Sequence, residues 1–578
     1  MKALRTLVCV GSLLTCLHAF AGTPEIQVRG LENEALDNVL SYVDALSITK
    51  DDAPGITTTR IRKAAQTALQ ALGYYKPKIS IATKRNASEL STVTLSIEPG
   101  PRVHLVSADV ELSGEAAHDP DFIKLVRTIP AEAAPLNHKQ FDDFISNLTS
   151  LALQKGFFDG KFTTCELGVS PSARKAIWRV HYDSGQRYRF GKFQFEGSQI
   201  DNQYLQNIRP FEDGVPYSSE LLGQYNSALS QTGWFSSVVL EPEFDHARKL
   251  DSKSLDFTGR VVPKKRNQVE VGLGISTDTG PHFSLGWNKP WINRHGHSFT
   301  SEITGSKEEQ TLDFSYKIPR KSSPIDQYYL LQGGYKHTDL NDTKSNKVSL
   351  AASRVHLLDS GWQRSVNLHW LVDNFTQASV SNTTMTIYPG LSFARTRSRG
   401  GAMPDWGDSQ RYSLDVANGI WGSDVDFIMF QASNTWIRTL AQRHRFVLRA
   451  SGGFIKSDDF DAVPPDLRFF AGGDHSIRGY DYKSISPKNS AGELTGASKM
   501  LTGTLEYQYN IKGKWWGAIF MDAGDAIRDM SQFDLKTGFG VGIRWGSPIG
   551  PVKLDIARAI GDSEKNDVQF YIGLGAEL

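Results

Sequence analysis

From Lys265 to its end the chain alternates apolar and polar residues with a period of two. In QVEVGLGIS, Val269, Val271, Leu273 and Ile275 fall on one face, and Glu270, Gly272, Gly274 and Ser276 on the other. At the far end, Val568, Phe570, Ile572, Leu574, Ala576 and Leu578 alternate with Gln569, Tyr571, Gly573, Gly575 and Glu577. Successive side chains of a strand point to opposite faces, so each stretch is a strand with one apolar face. Sixteen such strands are predicted, near 268–276, 281–290, 297–305, 309–318, 326–337, 345–357, 360–373, 383–393, 410–419, 424–438, 443–455, 499–510, 514–523, 536–546, 549–559 and 567–577. An even number of strands, each apolar on one side and joined by short connectors, is the pattern of a transmembrane β-barrel. Trp515, Trp516 and Trp545 are expected in its interfacial aromatic girdles.

The N-terminal half follows another rhythm. Three segments share one plan: an alternating strand, helical stretches ending in Gly-aromatic-aromatic, then two more strands. Helices are predicted at about 34–46 and 58–72 before Gly73-Tyr74-Tyr75, over 138–155 before Gly156-Phe157-Phe158, and over 218–232 before Gly233-Trp234-Phe235. The recurrence marks one repeated β-α-α-β-β unit. A glycine supplies the left-handed stop of each helix, and the aromatic pair packs back on a small sheet.

Ahead of the first repeat stand Lys2 and Arg5, an apolar run from Leu7 to Leu17, and Ala19-Phe20-Ala21. That is a secretory signal peptide with its cleavage site. Removing it takes away two basic and no acidic residues, so the formal charge goes from +1 to −1. Cys9 and Cys16 leave with it, and Cys165 alone cannot form an internal disulfide. No later apolar run is long enough for a membrane helix. The near-neutral balance gives no footprint for nucleic acid. The expected organisation is a signal segment over 1–21, repeats over 22–101, 102–187 and 188–264, and a barrel over 265–578.

The connector between the eleventh and twelfth strands is the longest, and it carries Ile477-Arg478-Gly479-Tyr480. Downstream, alternation in the thirteenth strand places Phe520, Asp522 and Gly524 on one face, with Ile519, Met521 and Ala523 on the other. If the apolar face meets lipid, Asp522 points into the lumen, where a loop folded inward could pair it with Arg478. Glu506, which shares its face with Thr504 and Gln508, and Asp555, which shares its face with Lys553, are possible second partners.

An IRGY loop followed by an F-x-D-x-G strand near the C-terminus resembles the BamA-like outer-membrane assembly superfamily, which includes the TamA-type proteins and the two-partner secretion transporters. The N-terminal units look like polypeptide-transport-associated (POTRA) domains. Three of them with a sixteen-stranded barrel are similar to the TamA type. The resemblance implies an outer-membrane location with the N-terminal domains in the periplasm. It also implies insertion or translocation of unfolded outer-membrane proteins, autotransporters above all, without ATP. A TamB-like periplasm-spanning protein is the implied partner, and the first repeat, farthest from the barrel, its expected docking site. The family exchanges strands at a lateral seam between the first and last barrel strands. Here that seam carries Gly272 and Gly274 on one side and Gly573 and Gly575 on the other, so packing across it is expected to be thin. By the same resemblance the Arg478 loop braces the lumen wall opposite the seam. The alternatives are an export channel of the two-partner secretion kind and a passive porin, which would need neither the repeats nor the paired motifs.

No nucleophile elbow, phosphate loop or metal-ligand motif occurs. The expectation is a protein that is not an enzyme and holds no cofactor or metal. His295 and His297 are expected in a solvated turn, as is the arginine-rich segment 395–409.

Overall fold

The structure is a computed structural model that describes residues 23–574, apart from 51, 87–88, 250–251, 277, 279, 402, 549 and 563–566. The signal segment 1–21 and the seam residue Gly575 lie outside the described residues. Two compact units are present. One comprises the chain up to Lys192 with Glu212–Leu221 and Glu243–Asp256, the other Phe193–Phe211, Leu222–Pro242 and everything from Phe257 on.

In the first unit, strand Glu25–Arg29 runs parallel to Glu89–Glu98, which pairs antiparallel with Lys78–Asn86. Helices Asn33–Asp44 and Pro54–Ala71 cover this sheet, and Val39, Val43, Ile61, Ala65 and Leu69 are buried against Val93 and Leu95. The second repeat has the same topology, with His104–Ser113 parallel to Lys175–Asp183 and the latter antiparallel to Lys161–Ser170. Its helix His138–Lys155 stops at Gly156, whose φ of +86° is the left-handed cap the sequence called for. Phe157, the next residue, is buried among Phe122, Trp178 and Tyr182. The third three-stranded sheet repeats the order, and a short helix, Phe244–Lys249, interrupts the connection between its last two strands, which the sequence pattern did not signal.

The second unit contains a sheet of sixteen strands in strict sequence order. Adjacent strands pair antiparallel, from Gln268–Ser276 and Gly280–Lys289 at the start to Gly550–Ile560 and Val568–Leu574 at the end. The first and last strands lie beside each other. Alternation sorts side chains as predicted: Ile519 and Met521 are half exposed on the outer surface, while Phe520 and Asp522 are buried inside.

Two expectations are corrected by that alternation. Trp515 and Trp545 pack at a tilt on the outer face with ring centroids 6.1 Å apart. Trp516, one residue on, faces inward and lines a small cavity with Pro404 and Arg445, because neighbouring positions of a strand cannot share a face. The segment 395–409 is mostly not a turn. The eighth strand runs Val380–Arg399 and the ninth begins at Trp406, so the ladder continues through Arg397↔Asp408 and Arg399↔Trp406.

Candidate functional site

The connector between the eleventh strand (His444–Ser457) and the twelfth (Lys499–Lys512) folds into the lumen. Short bridges Phe469↔Ala497 and Ala471↔Ile485 make it a compact internal hairpin. Its apolar side, Phe469, Ala471, Ile477, Tyr480 and Ile485, is buried with Tyr388, Phe427, Met429 and Ile455 of the barrel wall.

At its tip, Arg478 meets the thirteenth strand (Trp515–Ile527). Its Nε donates to Asp522 Oδ2 at 2.7 Å and its Nη2 to Oδ1 at 3.0 Å, and its backbone N–H also donates to Oδ2, at 3.0 Å. Nη1 donates to Glu506 Oε2 and Asp555 Oδ2, both at 3.0 Å. Both possible second partners are therefore engaged. The guanidinium carbon lies 3.3 Å from the centre of the Phe520 ring, which closes the remaining face.

Arg544, which the sequence reading passed over, completes the cluster. It donates from Nε and Nη2 to Glu506 Oε1, at 3.1 and 2.9 Å, and from Nη2 to Asp555 Oδ2 at 3.0 Å, with Nη1 bonded to Asp555 Oδ1 as well. Gln508 donates to Glu506 Oε1 at 2.7 Å and accepts from Arg445 Nη1 at 2.7 Å. Arg478, Arg544, Glu506, Asp522 and Asp555 are all 3% exposed or less. Charges so far from water persist only when paired and hydrogen-bonded, and each of these five is. The cluster spends its donors on its own acceptors, so it is built to hold the loop on the wall.

Glycines make the close approach possible. Gly479 has φ +99°, and a Cβ there would lie 2.6 Å from the carbonyl carbon of Arg558. A Cβ at Gly538 would lie 1.8 Å from the Arg478 carbonyl oxygen. Gly524 likewise has no room, its Cβ falling 2.3 Å from Leu501 O. The inward face of the fourteenth strand (Lys536–Ser547), with Gly538, Gly540 and Gly542 leading to Arg544, is thus a docking floor. An arginine alone on a glycine face was the signal that would have found it.

The loop does not brace the wall opposite the seam. The N–H of Gly479 donates to Tyr571 Oη at 2.9 Å, Tyr571 Oη donates to Tyr480 O at 3.1 Å, and Gln569 donates to Asp481 at 3.0 Å. Tyr571 and Gln569 belong to the last strand. The N–H of Asp474 donates to Asp278 Oδ2 at 3.2 Å, in the turn after the first strand. Consecutive hairpins put the last strand two places from the fourteenth, so a loop seated on the fourteenth reaches the seam from inside.

Among the described residues no backbone ladder joins the first strand to the last, although every other neighbouring pair has one. Val271 is 75% and Leu273 87% exposed, against 44% for Val348 within the sheet. Gly272 and Gly274 are overhung by Ser284 and His282 of the second strand, and a Cβ on Gly573 would stand 3.4 Å from Asp474 of the loop.

The connection after the second strand is not a solvated turn. Trp234 of the third repeat donates to Gly296 O at 3.0 Å, the N–H of Asp201 donates to Arg294 O at 2.9 Å, and His297 Nδ1 lies 2.8 Å from Tyr316 Oη. His295 lies against the third repeat, 3.6 Å from Asp201 and beside the Tyr204 ring, while His297 faces the barrel's own Tyr316, and among the described residues no cluster of metal-ligating side chains occurs.

Residues 264–578 match the model of the Omp85 superfamily domain, and residues 25–99 that of POTRA domain TamA domain 1. The chain is 23% identical over 514 residues to an outer membrane protein assembly factor BamA of Nitratidesulfovibrio vulgaris, covering 84% of this chain and 63% of that one. It is 19% identical over 487 residues to the BamA of Neisseria meningitidis serogroup B, covering 71% and 60%. The chain thus spans less than two thirds of the curated relatives' length. Its fold is that of BamA from Haemophilus ducreyi lacking POTRA domains 1–3, with TM-score 0.68 at 15% identity, covering 82% of this chain and 99% of that one. With more than half its length matched by one family model, the chain belongs to the Omp85 superfamily, as an outer-membrane β-barrel with periplasmic POTRA domains.

Proposed function

We propose that this chain is a TamA-type assembly factor, one that inserts or translocates autotransporters and related β-barrel clients by strand exchange at the seam between its first and last strands. The observation that carries the reading is the seam itself, where the first and last strands lie side by side and the lumen loop is bonded to the last strand from inside. An unpaired backbone group in hydrocarbon costs several kcal/mol, so a client strand that pairs with a free edge is held there. Exchange of one ladder for another needs neither ATP nor a catalytic group. The match of residues 25–99 favours the TamA branch, and with it a TamB-like periplasm-spanning partner at the first repeat. The loop supports the reading too, since it holds the last strand through Tyr571 and so keeps one edge in place while the other moves.

The test is a disulfide lock. Cysteine pairs placed between 268–274 and 568–574, with the exposed Cys165 replaced, join the seam. Insertion of an unfolded autotransporter barrel into liposomes is expected to fail in the locked protein and to return on reduction. Insertion indifferent to the lock favours the export-channel reading, for which a cavity of about 670 Å³ beside the loop, lined by Asn288, Glu302 and Lys347 together with Trp287, Phe314 and Trp370, offers space.

A further inference from the structure

The hairpin of the eighth and ninth strands carries a feature that strand exchange does not use. On the eighth strand, Arg395, Arg397 and Arg399 alternate outward on the row that carries Leu391, which is 39% exposed. They begin four residues, about 13 Å, beyond Leu391. Next to them on the outer face stand Trp406 of the ninth strand and Arg438 of the tenth (Phe427–Leu440), in the register Arg399↔Trp406↔Arg438. Three guanidiniums surround one indole: Arg397, Arg399 and Arg438 lie 5.5, 5.2 and 4.7 Å from the Trp406 ring centre. Arg395 lies 4.6 Å from the Trp362 ring centre. The nearly buried Asp408 pairs with Arg397 at 2.9 Å and lies 3.8 Å from Arg438. Arg395 donates to Gln410 and, like Arg399, forms no ion pair among the described residues. Four guanidiniums against two carboxylates, Asp408 and Asp405 of the turn, leave a positive excess.

The position of this patch identifies its occupant. The first barrel strand follows the periplasmic repeats, so the turn between the eighth and ninth strands faces the periplasm. The outward row passes from apolar side chains that meet acyl chains to arginines at the depth of the headgroups. Among the described residues Arg395 and Arg397 spend Nε and Nη2 on Gln410 and Asp408, and Arg438 spends Nη1 on the carbonyls of Gly407 and Ile437, so the whole fork of Arg399 and the outer nitrogens of the other three face away from the rings toward phosphate oxygens. We propose that this patch is a binding site for anionic phospholipid, with a headgroup phosphate held by Arg395, Arg399 and the free edges of Arg397 and Arg438. The site rests on the barrel's place in a membrane and is independent of the seam mechanism.

The experiment is native mass spectrometry of the full chain in neutral detergent, titrated with dioleoylphosphatidylglycerol or dioleoylphosphatidylcholine. An arginine at a charged membrane surface is worth about fivefold in affinity, so the wild-type protein is expected to retain phosphatidylglycerol at least about tenfold more tightly. R395Q/R399Q breaks no ion pair and should abolish the preference, while its barrel still migrates as folded in an unheated gel. R29Q/K78Q, on the first repeat, should keep the preference. Equal retention of the two lipids by wild type, or an undiminished preference in R395Q/R399Q, overturns the proposal. So does tighter binding of a polyglutamate peptide than of phosphatidylglycerol, which would make the occupant an acidic protein. Retention of neither lipid would count against the membrane placement itself.

Discussion

Arg478 and Arg544 share both Glu506 and Asp555, although one belongs to a loop and the other to the wall. The loop is therefore fastened by a network that four wall strands and the loop tip build together. Asp522 alone is the loop's own anchor, gripped by the side chain and backbone of Arg478.

Reversal of Arg478 tests that network. Removing one partner of a buried pair costs about 3–5 kcal/mol, and R478E leaves Glu506, Asp522 and Asp555 facing a fourth carboxylate. The variant is expected to release the loop, with residues 468–485 becoming sensitive to protease added outside cells, and to lose assembly activity. A charge swap with D522R should rescue little, because the introduced carboxylate would still face Glu506 and Asp555. Full rescue by the swap would mean that Asp522 is the only partner that matters.

Arg544 should behave as part of the same unit. R544M strips Glu506 and Asp555 of their second cation and is expected to lower the temperature at which the folded barrel band disappears from unheated gels. R478M should lower it comparably. The double variant should fall short of the sum, by a coupling of about 1–3 kcal/mol. Additive effects would show that the two arginines hold the carboxylates independently.

A glycine provides a milder probe. At Gly538 an added Cβ would sit 1.8 Å from Arg478 O, whereas at Gly503 the nearest atom, Arg449 O, is 3.8 Å away. G538A is expected to displace the loop tip and reproduce part of the R478E phenotype without changing any charge, and G503A to be silent. Protease sensitivity of the loop in the two variants decides the matter.

Much of this site was readable before any coordinates. Alternation alone assigned Asp522 and Glu506 to the inner face, and consecutive hairpins placed their strands side by side. Arg544 escaped because its neighbours on that face are glycines, which look like an absence of information until a loop is found lying on them. The seam position of the loop is hidden for a related reason: Tyr571 is legible as an inward residue, but a phenol on a glycine-rich face says nothing of its partner. The eighth strand ran longer than its pattern because Arg395, Arg397 and Arg399 alternate in facing but not in hydropathy. Their pairing with Asp408 and Trp406 appears only in the register.

The second repeat should show its own pH dependence. Asp119 caps helix Pro120–Val126 through the N–H of Asp121 and accepts from Lys155 Nζ at 2.7 and 2.8 Å. Burial pushes its carboxyl up, but the Lys155 and Asp121 hydrogen bonds outweigh that and hold it below its ordinary 3.8. Burial pulls Lys155 down, and its bonds to Asp119 and Asp121 lift it above 10.5. A lowered acid stabilises the fold above its unfolded pKa and stops doing so as pH falls through the folded value. A raised base stabilises below its unfolded pKa, an effect lost as pH rises through the folded value. The pair therefore contributes fully between about pH 5 and 9. Asparagine caps a helix as well as aspartate does, so D119N removes the charge and keeps the cap. The variant is expected to be less stable by about 0.5–1 kcal/mol at pH 7, with the difference from wild type shrinking below about pH 4. Calorimetry of both proteins across that range checks it, and a difference that stays constant into acid would show that the carboxylate acts through its shape and not its charge.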